Sequence, residues 1–395
     1  MQTRPCWVEI STASLEENFR FLQSLAPSDA ELMAILKADA YGHSLALCAP
    51  AVVRAGARWI AVTSVEEGVA ARALCPDTRI VVIGGVVPGQ GATIIQHRLT
   101  AVVWEPAQLD DLEAAARSAG LKPGSVPVHL EIDTGMSRQG TSLEVLPSHL
   151  SRFSPSSPLK LEGIMTHLFA ADESAGNATQ SQLGELQKAL EIVEAAGLYA
   201  DWLNVGQSSV LFCDDIATIA ELAARHGMKA LLRPGISLYG IVPRFTPEFA
   251  TDAPAALIAA RSTLKPVLTF KTAVISVRDI PAGAVVGYNG TFVASEPMRV
   301  ALVTAGYADG LSRILGNRFS LLVRGQRAPL IGRVSMDHAV IDVTEIDGVK
   351  AGDEVVIIGT QGAKTITAYD HADATQTIPW EVLTRIAARV PRVAV

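Results

Sequence analysis

The chain has 395 residues, 49% of them hydrophobic and 18% charged, which suits a large packed protein and excludes extended disorder. Its formal net charge of −7 offers no electrostatic hold on nucleic acid or an anionic membrane, so neither is expected as a partner. The longest uncharged apolar stretch, residues 80–96, is broken by Gly84, Gly85, Pro88, Gly89 and Gly91 and is excluded as a membrane-spanning helix.

Residues 7–10 read as a strand. Residues 14–25 follow with helical spacing at Leu15, Phe19 and Leu22, and Ser11, Thr12 and Ser14 are candidate N-caps. The N-terminus has no apolar signal core. Cys6, Cys48, Cys75 and Cys213 are scattered without metal-ligand spacing, so reduced thiols, a cytoplasmic protein and no metal site are expected. Apolar runs recur at 33–36, 59–62, 80–83, 101–104, 128–132, 163–165, 202–205 and 230–232, with helical patterns such as 108–119 and 180–196 between them. Strand–helix alternation of this kind predicts an α/β architecture, a (β/α)8 TIM-type barrel over residues 1–242, with an open doubly wound sheet as the alternative.

After Tyr239 the texture changes. Residues 243–262 hold three prolines and read as a connector. Beyond it, β-rich runs at 267–277, 284–288, 299–304, 320–323, 339–343 and 354–358 are separated by turn signals such as Asp347-Gly348 and Ala351-Gly352. A second, mainly β domain over residues 243–395 is therefore expected.

In a barrel of this type functional groups collect at the C-terminal ends of the strands. Lys37 follows the run 33–36. Burial there would lower its pKa and make the amine a usable nucleophile or base, although a stem that snorkels to the rim accounts for the position equally. The run at 128–132 leads through Glu131 into Asp133-Thr134-Gly135-Met136-Ser137-Arg138, and the next ends at Met165-Thr166-His167. Taken alone, His167 reads as a satisfied core histidine. The last two barrel runs lead into Asn204-Val205-Gly206-Gln207-Ser208-Ser209 and Arg233-Pro234-Gly235-Ile236. Those loops are where this fold binds phosphate through backbone N–H groups and helix N-termini, which makes Ser208, Gly235 and Ile236 candidates for holding a phosphate monoester.

Ala34-Ile35-Leu36-Lys37-Ala38-Asp39-Ala40-Tyr41-Gly42-His43 resembles the cofactor-binding signature of the alanine racemase family. The resemblance continues through Asp133–Arg138, Arg233-Pro234-Gly235, Gly287-Tyr288, Gly306-Tyr307-Ala308-Asp309-Gly310, Gly332-Arg333-Val334-Ser335-Met336-Asp337 and the segment from Thr377 to Arg385, and so covers nearly the whole chain. It implies a pyridoxal-phosphate-dependent isomerase that interconverts L- and D-alanine and supplies D-alanine for peptidoglycan. Lys37 would carry the cofactor and act as one catalytic base. Tyr288, otherwise readable as a half-buried strand tyrosine, would act as the second base on the opposite face. Arg233 would face the cofactor's ring nitrogen, and His167 would pack against the ring. Tyr41, Ser208, Gly235, Ile236 and Trp380 would surround the phosphate. Arg138 would help place the substrate carboxylate, and Tyr307 would lie near the entrance. Tyr288 and Met336 would come from the partner subunit of an isologous homodimer.

The chain departs from the family pattern at several positions. Glu131 stands where many members have a lysine able to carry a carbamate, and it could supply Arg138 with a permanent carboxylate instead. Asn204 and Gln207 stand where histidine and asparagine are usual; Asn204 can hydrogen-bond Arg233, though not as a cation. Trp380 replaces a common tyrosine, and its indole can donate a bond but not accept one. A broad-specificity, serine or basic amino-acid racemase is the competing substrate reading. A decarboxylase of the same barrel-plus-β fold and a single-barrel pyridoxal-phosphate carrier are weaker alternatives.

Overall fold

The computed structural model describes residues 4–248 and 253–395, so residues 249–252 of the expected connector and residues 1–3 of the N-terminus lie outside the described residues. The chain divides into two compact units. One comprises Ala13–Ala40 and Leu45–Lys265; the other comprises the described residues of Met1–Thr12 together with Tyr41–Ser44 and Pro266–Val395.

Strands are numbered from β1 (Cys6–Ile10). The larger unit is a closed barrel of eight parallel strands. They are β2 (Glu31–Ile35), β3 (Trp59–Val62), β4 (Arg79–Val82), β5 (Thr100–Val103), β6 (Val126–Glu131), β7 (Leu159–Met165), β8 (Trp202–Gln207) and β9 (Lys229–Arg233). The ring closes where Glu31 and Leu32 of β2 pair with Leu231 and Leu232 of β9, so the open-sheet alternative does not hold. Strands covered on both faces carry near-continuous apolar sequence, and β3 and β5 are buried at every residue. The helices Pro106–Ser118 and Ala178–Ala195 each begin two residues before the periodicity suggested. In the first, Pro106 sits in the opening turn, where its missing N–H costs nothing.

A left-handed turn follows β2. Ala38, Asp39, Ala40 and Tyr41 take φ values of 54°, 52°, 56° and 56°, a conformation that costs L-residues roughly 1–2 kcal/mol each. Local bonds hold it. The Asp39 carboxylate accepts the Leu45 N–H at 2.6 Å, and Leu36 O accepts the Ala40 N–H at 2.8 Å. The turn ends the strand abruptly and leaves Lys37 at its C-terminal end.

The smaller unit is built on a nine-stranded sheet around the long strand β10 (Leu268–Ile280). Its other strands are β1, β13 (Met298–Val303), β14 (Ser320–Val323), β15 (Gln326–Pro329), β16 (Ala339–Asp342), β17 (Glu354–Gln361), β18 (Lys364–Ile366) and β19 (Arg392–Ala394); β11 (Val285–Val286) and β12 (Phe292–Val293) form a separate hairpin. The run at 7–10, counted with the barrel in the sequence, lies here. It pairs antiparallel with β10 from Cys6↔Thr272 to Ile10↔Leu268 and parallel with β19. The reason is visible in its burial, which alternates between buried and half-buried as expected of a strand covered on one side. Tyr41–Ser44 belongs to this unit too. Gly42 (φ +79°) packs so closely that an added Cβ would stand 2.5 Å from the Leu383 carbonyl oxygen. Among the described residues no helix is long and apolar enough to cross a membrane. All four cysteines are free thiols.

Candidate active site

Within the barrel unit, the sequence-predicted residues gather at the C-terminal ends of β2, β6, β7, β8 and β9. Lys37 is half-buried at the end of β2. Burial, with the charges of Arg138 and Arg233, lowers its pKa; Glu67 pulls weakly the other way. An amine depressed in this way spends more of its time neutral and able to accept a proton or form a bond.

Arg233 closes β9 and is only 3% exposed. Its Nη1 donates to the Asn204 backbone oxygen at 2.5 Å and to Asn204 Oδ1 at 2.6 Å, while Nη2 donates to Thr166 O at 2.8 Å and meets His167 Nδ1 at 3.1 Å. Burial brings its pKa down to about 10, so the guanidinium keeps its charge at neutral pH. His167 is held far lower, at about 3, by burial first and then by Arg233, Arg138 and Lys37.

Ser208 starts a short 3-10 helix, Ser208–Phe212. Its buried hydroxyl oxygen accepts the N–H groups of Gly235 at 3.0 Å and Ser237 at 3.3 Å, which ties the end of β8 to the turn after β9. Gly235 and Ile236 are buried in that turn. Beside them, Gln207 donates to Leu168 O at 2.8 Å, and its buried Oε1 has no hydrogen-bond partner. Glu131 ends β6, and its Oε2 accepts from Gln139 Nε2 at 2.7 Å. Burial pushes its carboxyl pKa up against Gln139, Arg233 and Arg138. The observed bond of Glu131 therefore runs to Gln139, while Arg138 is exposed and acts on it through charge.

The remaining candidates, Tyr41, Tyr288, Tyr307, Met336 and Trp380, belong to the smaller unit. Burial pushes the Tyr41 phenol well above its usual range. Tyr288 follows Gly287 (φ +73°) in a short turn and is 69% exposed, so it is not the half-buried strand tyrosine that the sequence alone allowed. Tyr307 and Met336 are brought together: Tyr307 N–H donates to Ser335 O and Ala308 N–H to Met336 O, both at 3.0 Å. Gly306 is required there, because a Cβ would stand 2.2 Å from Met336 O. The buried Asp309 carboxylate holds the loop by accepting from Gly306 N–H at 2.9 Å, Arg389 Nε at 2.9 Å and the Arg4 guanidinium. Trp380 is half-buried in the helix Pro379–Thr384.

Sequence reasoning missed two buried residues of the barrel, His129 and Glu162, and the partly exposed Arg79 that pairs with Glu162. His129 shares the inward face of β6 with Glu131, two positions on, a relation that strand periodicity alone could have exposed.

A closed parallel barrel with a lysine of lowered pKa at one strand end, a buried arginine and a polar turn joining Ser208 to Gly235, followed by a mainly β unit, defines a barrel-fold enzyme class. The description "Alanine racemase, N-terminal domain" fits residues 10–243, and "Alanine racemase, C-terminal domain" fits residues 267–394. The alanine racemase of Halothermothrix orenii is 35% identical, over 99% of this chain and 97% of the relative. That of Sorangium cellulosum is 36% identical, over 98% of both. Among solved structures, the alanine racemase of the D-cycloserine producer Streptomyces lavendulae is similar with a TM-score of 0.88 and 31% identity, over 100% of this chain and 98% of that one. The alanine racemase of Bartonella henselae, solved with covalently bound pyridoxal phosphate, has a TM-score of 0.83 and 25% identity over 99% of each chain. The chain belongs to the alanine racemase family.

Proposed function

We propose that the protein interconverts L- and D-alanine with pyridoxal 5′-phosphate as cofactor, and that Lys37 and Tyr288 are its two bases. The observation that carries this reading is Lys37, an amine with lowered pKa at the end of a barrel strand, in the same unit as a buried arginine held through both Nη atoms and the Ser208–Gly235 turn.

The residues fit that cofactor. The Ser208 hydroxyl proton and the Ile236 N–H make a neutral donor set suited to a phosphate monoester, while the Gly235 N–H holds the Ser208 oxygen; Tyr41 and the Trp380 indole N–H are the further donors the family resemblance implies. When bound, pyridoxal phosphate draws electrons from the α-carbon of the amino acid and makes its proton removable. Lys37 takes or returns that proton on one face, and Tyr288 does so on the other, as inversion requires. Arg233 stays cationic and would, facing the ring nitrogen of the cofactor, leave that nitrogen without a proton and limit side reactions. His167, neutral throughout, would pack against the ring without adding charge. Arg138 and Met336 bind the substrate, Tyr307 lines the way in, and Glu131 offsets the positive charge of the two arginines.

The exposed side chains of Tyr288 and Met336, 69% and 54% accessible, suit residues contributed to a partner's site in an isologous homodimer. The product serves peptidoglycan synthesis in the cytoplasm. The test is chiral analysis of cofactor-loaded protein given L-alanine, with L-serine, L-lysine and L-arginine in parallel. Rapid D-alanine formation alone supports the proposal. Dominance of another D-amino acid replaces the substrate, and carbon dioxide release or no turnover replaces the reaction.

A further inference from the structure

Behind Arg233, polar side chains continue through the barrel interior toward the opposite end. Asn204 Nδ2 lies 3.0 Å from His129 Nδ1, and His129 Nε2 lies 3.5 Å from Glu162 Oε2. Glu162 is paired in turn with Arg79, the first residue of β4, whose guanidinium carbon sits 3.8 Å over the Trp59 ring. His129 and Asn204 are fully buried and Glu162 is 5% exposed.

The direction of the bonds from Arg233 through Asn204 to His129 is fixed by one end, while His129 Nε2 and Glu162 Oε2 face each other at 3.5 Å with neither atom hydrogen-bonded. Arginine only donates, so Asn204 must turn its oxygen toward Arg233 and its NH2 toward His129. His129 Nδ1 must then accept, which puts the proton on Nε2, facing the Glu162 carboxylate. The arrangement requires a neutral imidazole. Burial does lower the His129 pKa, outweighing the opposing pull of Glu162. The ring also has a fitted seat: a Cβ on Gly163 would stand 2.8 Å from each of three of its atoms.

Resting on the reading of Arg233 as the residue that faces the cofactor ring, we propose that His129 is a positioning residue for Arg233. Acting through Asn204, it fixes the guanidinium; the close fit of its ring against Gly163 and the charge of Glu162, paired with Arg79, facing Nε2 favour the accepting nitrogen of His129 being turned to Asn204. A residue that only fills the core would need its volume and not its acceptor atom. This difference separates the two roles.

Protein labelled with 15N-histidine is measured without cofactor. Beside His167 and His371, which share the pattern, a further imidazole is expected to show the neutral Nε2–H signature without titrating between about pH 6 and about pH 9, and it is the one that vanishes in His129→Gln. Arginine 15N spectra should show guanidinium protons protected from exchange in wild type and His129→Gln, and unprotected in His129→Leu. In the cofactor-loaded enzyme, His129→Leu should lower kcat about tenfold, the scale of one buried hydrogen bond, with KM within about twofold. His129→Gln, which restores an acceptor, should recover most of the loss, and His129→Leu should cost nothing further in an Asn204→Ala background. Should His129→Leu fail to fold, Gly163→Ala, which displaces the ring without removing it, carries the same kcat expectation. An Nδ1-protonated or titrating His129, wild-type kcat in both His129→Leu and Gly163→Ala, or purely additive losses with Asn204→Ala overturn the proposal. A wild-type holoprotein without racemase activity overturns the functional reading instead, and the NMR measurement then decides the role of His129 by itself.

Discussion

Arg233 Nη2 and His167 Nδ1 meet at 3.1 Å, a contact in which only the arginine has a proton to give. The imidazole therefore accepts, and its own proton lies on Nε2. A doubly protonated His167 would break this contact as well as place a cation beside Arg233, Arg138 and Lys37.

From that contact, His167 should stay neutral at every pH at which the protein is folded, with a pKa of about 3. Two-dimensional 15N NMR of histidine-labelled protein checks it, with His167→Gln assigning the signal. A titration midpoint above about pH 6, the range of an ordinary histidine, would remove both the tautomer and the uncharged packing role.

Acid should destabilise the fold partly through His371, which is buried, donates to the Ile357 carbonyl oxygen at 2.8 Å and has its pKa lowered to about 4 by burial. Below about pH 6.5 the unfolded chain binds a proton that the folded chain refuses. The stability is thus complete above that pH and lost progressively as pH falls toward about 4, at up to about 1.4 kcal/mol per pH unit from this group. Urea unfolding at about pH 7 and about pH 5 should show a larger loss for wild type than for His371→Gln. Equal losses would assign the acid sensitivity elsewhere.

Lys37→Arg should reduce racemisation by at least about 100-fold, the lower end of what a positioned base contributes. Tyr288→Phe should do the same while leaving one face of the reaction working. In deuterium oxide that variant should exchange the α-hydrogen of one enantiomer of alanine and not the other. Equal exchange of both enantiomers would rule out Tyr288 as a base.

Glu131→Ala should weaken pyridoxal-phosphate affinity and raise KM, because it leaves Arg138 and Arg233 without their nearby carboxylate. Glu131→Gln keeps the size and the possibility of a bond to Gln139, so it isolates the charge. Equilibrium cofactor binding to the apoprotein separates the cases: a Gln variant that behaves as wild type assigns the role to shape and hydrogen bonding alone.

The barrel was legible because strands sealed on both faces leave unbroken apolar runs; residues 59–62 coincide with β3. Where a charge enters such a strand the reading fails. The run expected at 163–165 is the end of β7, Leu159–Met165, cut short in the sequence by Lys160 and Glu162. The same rule that trimmed the strand hid Glu162, and with it the partner of His129. The left-handed turn at Ala38–Tyr41 was equally hidden, since it contains no glycine to announce positive φ. Lys37, His167, Ser208 and Arg233 were legible as candidates because they stand at strand ends. Their hydrogen-bond directions were not, because these depend on residues from three different strands and the loops that follow them.

The placement of β1 has a consequence for how the protein is made. Its hydrogen-bonding partners, β10 and β19, are translated only after the whole barrel. Domains generally fold in the order in which they emerge, so the barrel closes while its N-terminal neighbour still has unpaired backbone and three apolar side chains in search of cover. A strand waiting in that state is a template for pairing with other nascent chains. Synthesis that stalls within the β-rich segment that follows the barrel therefore leaves β1 as an unpaired edge on a chain whose barrel is closed.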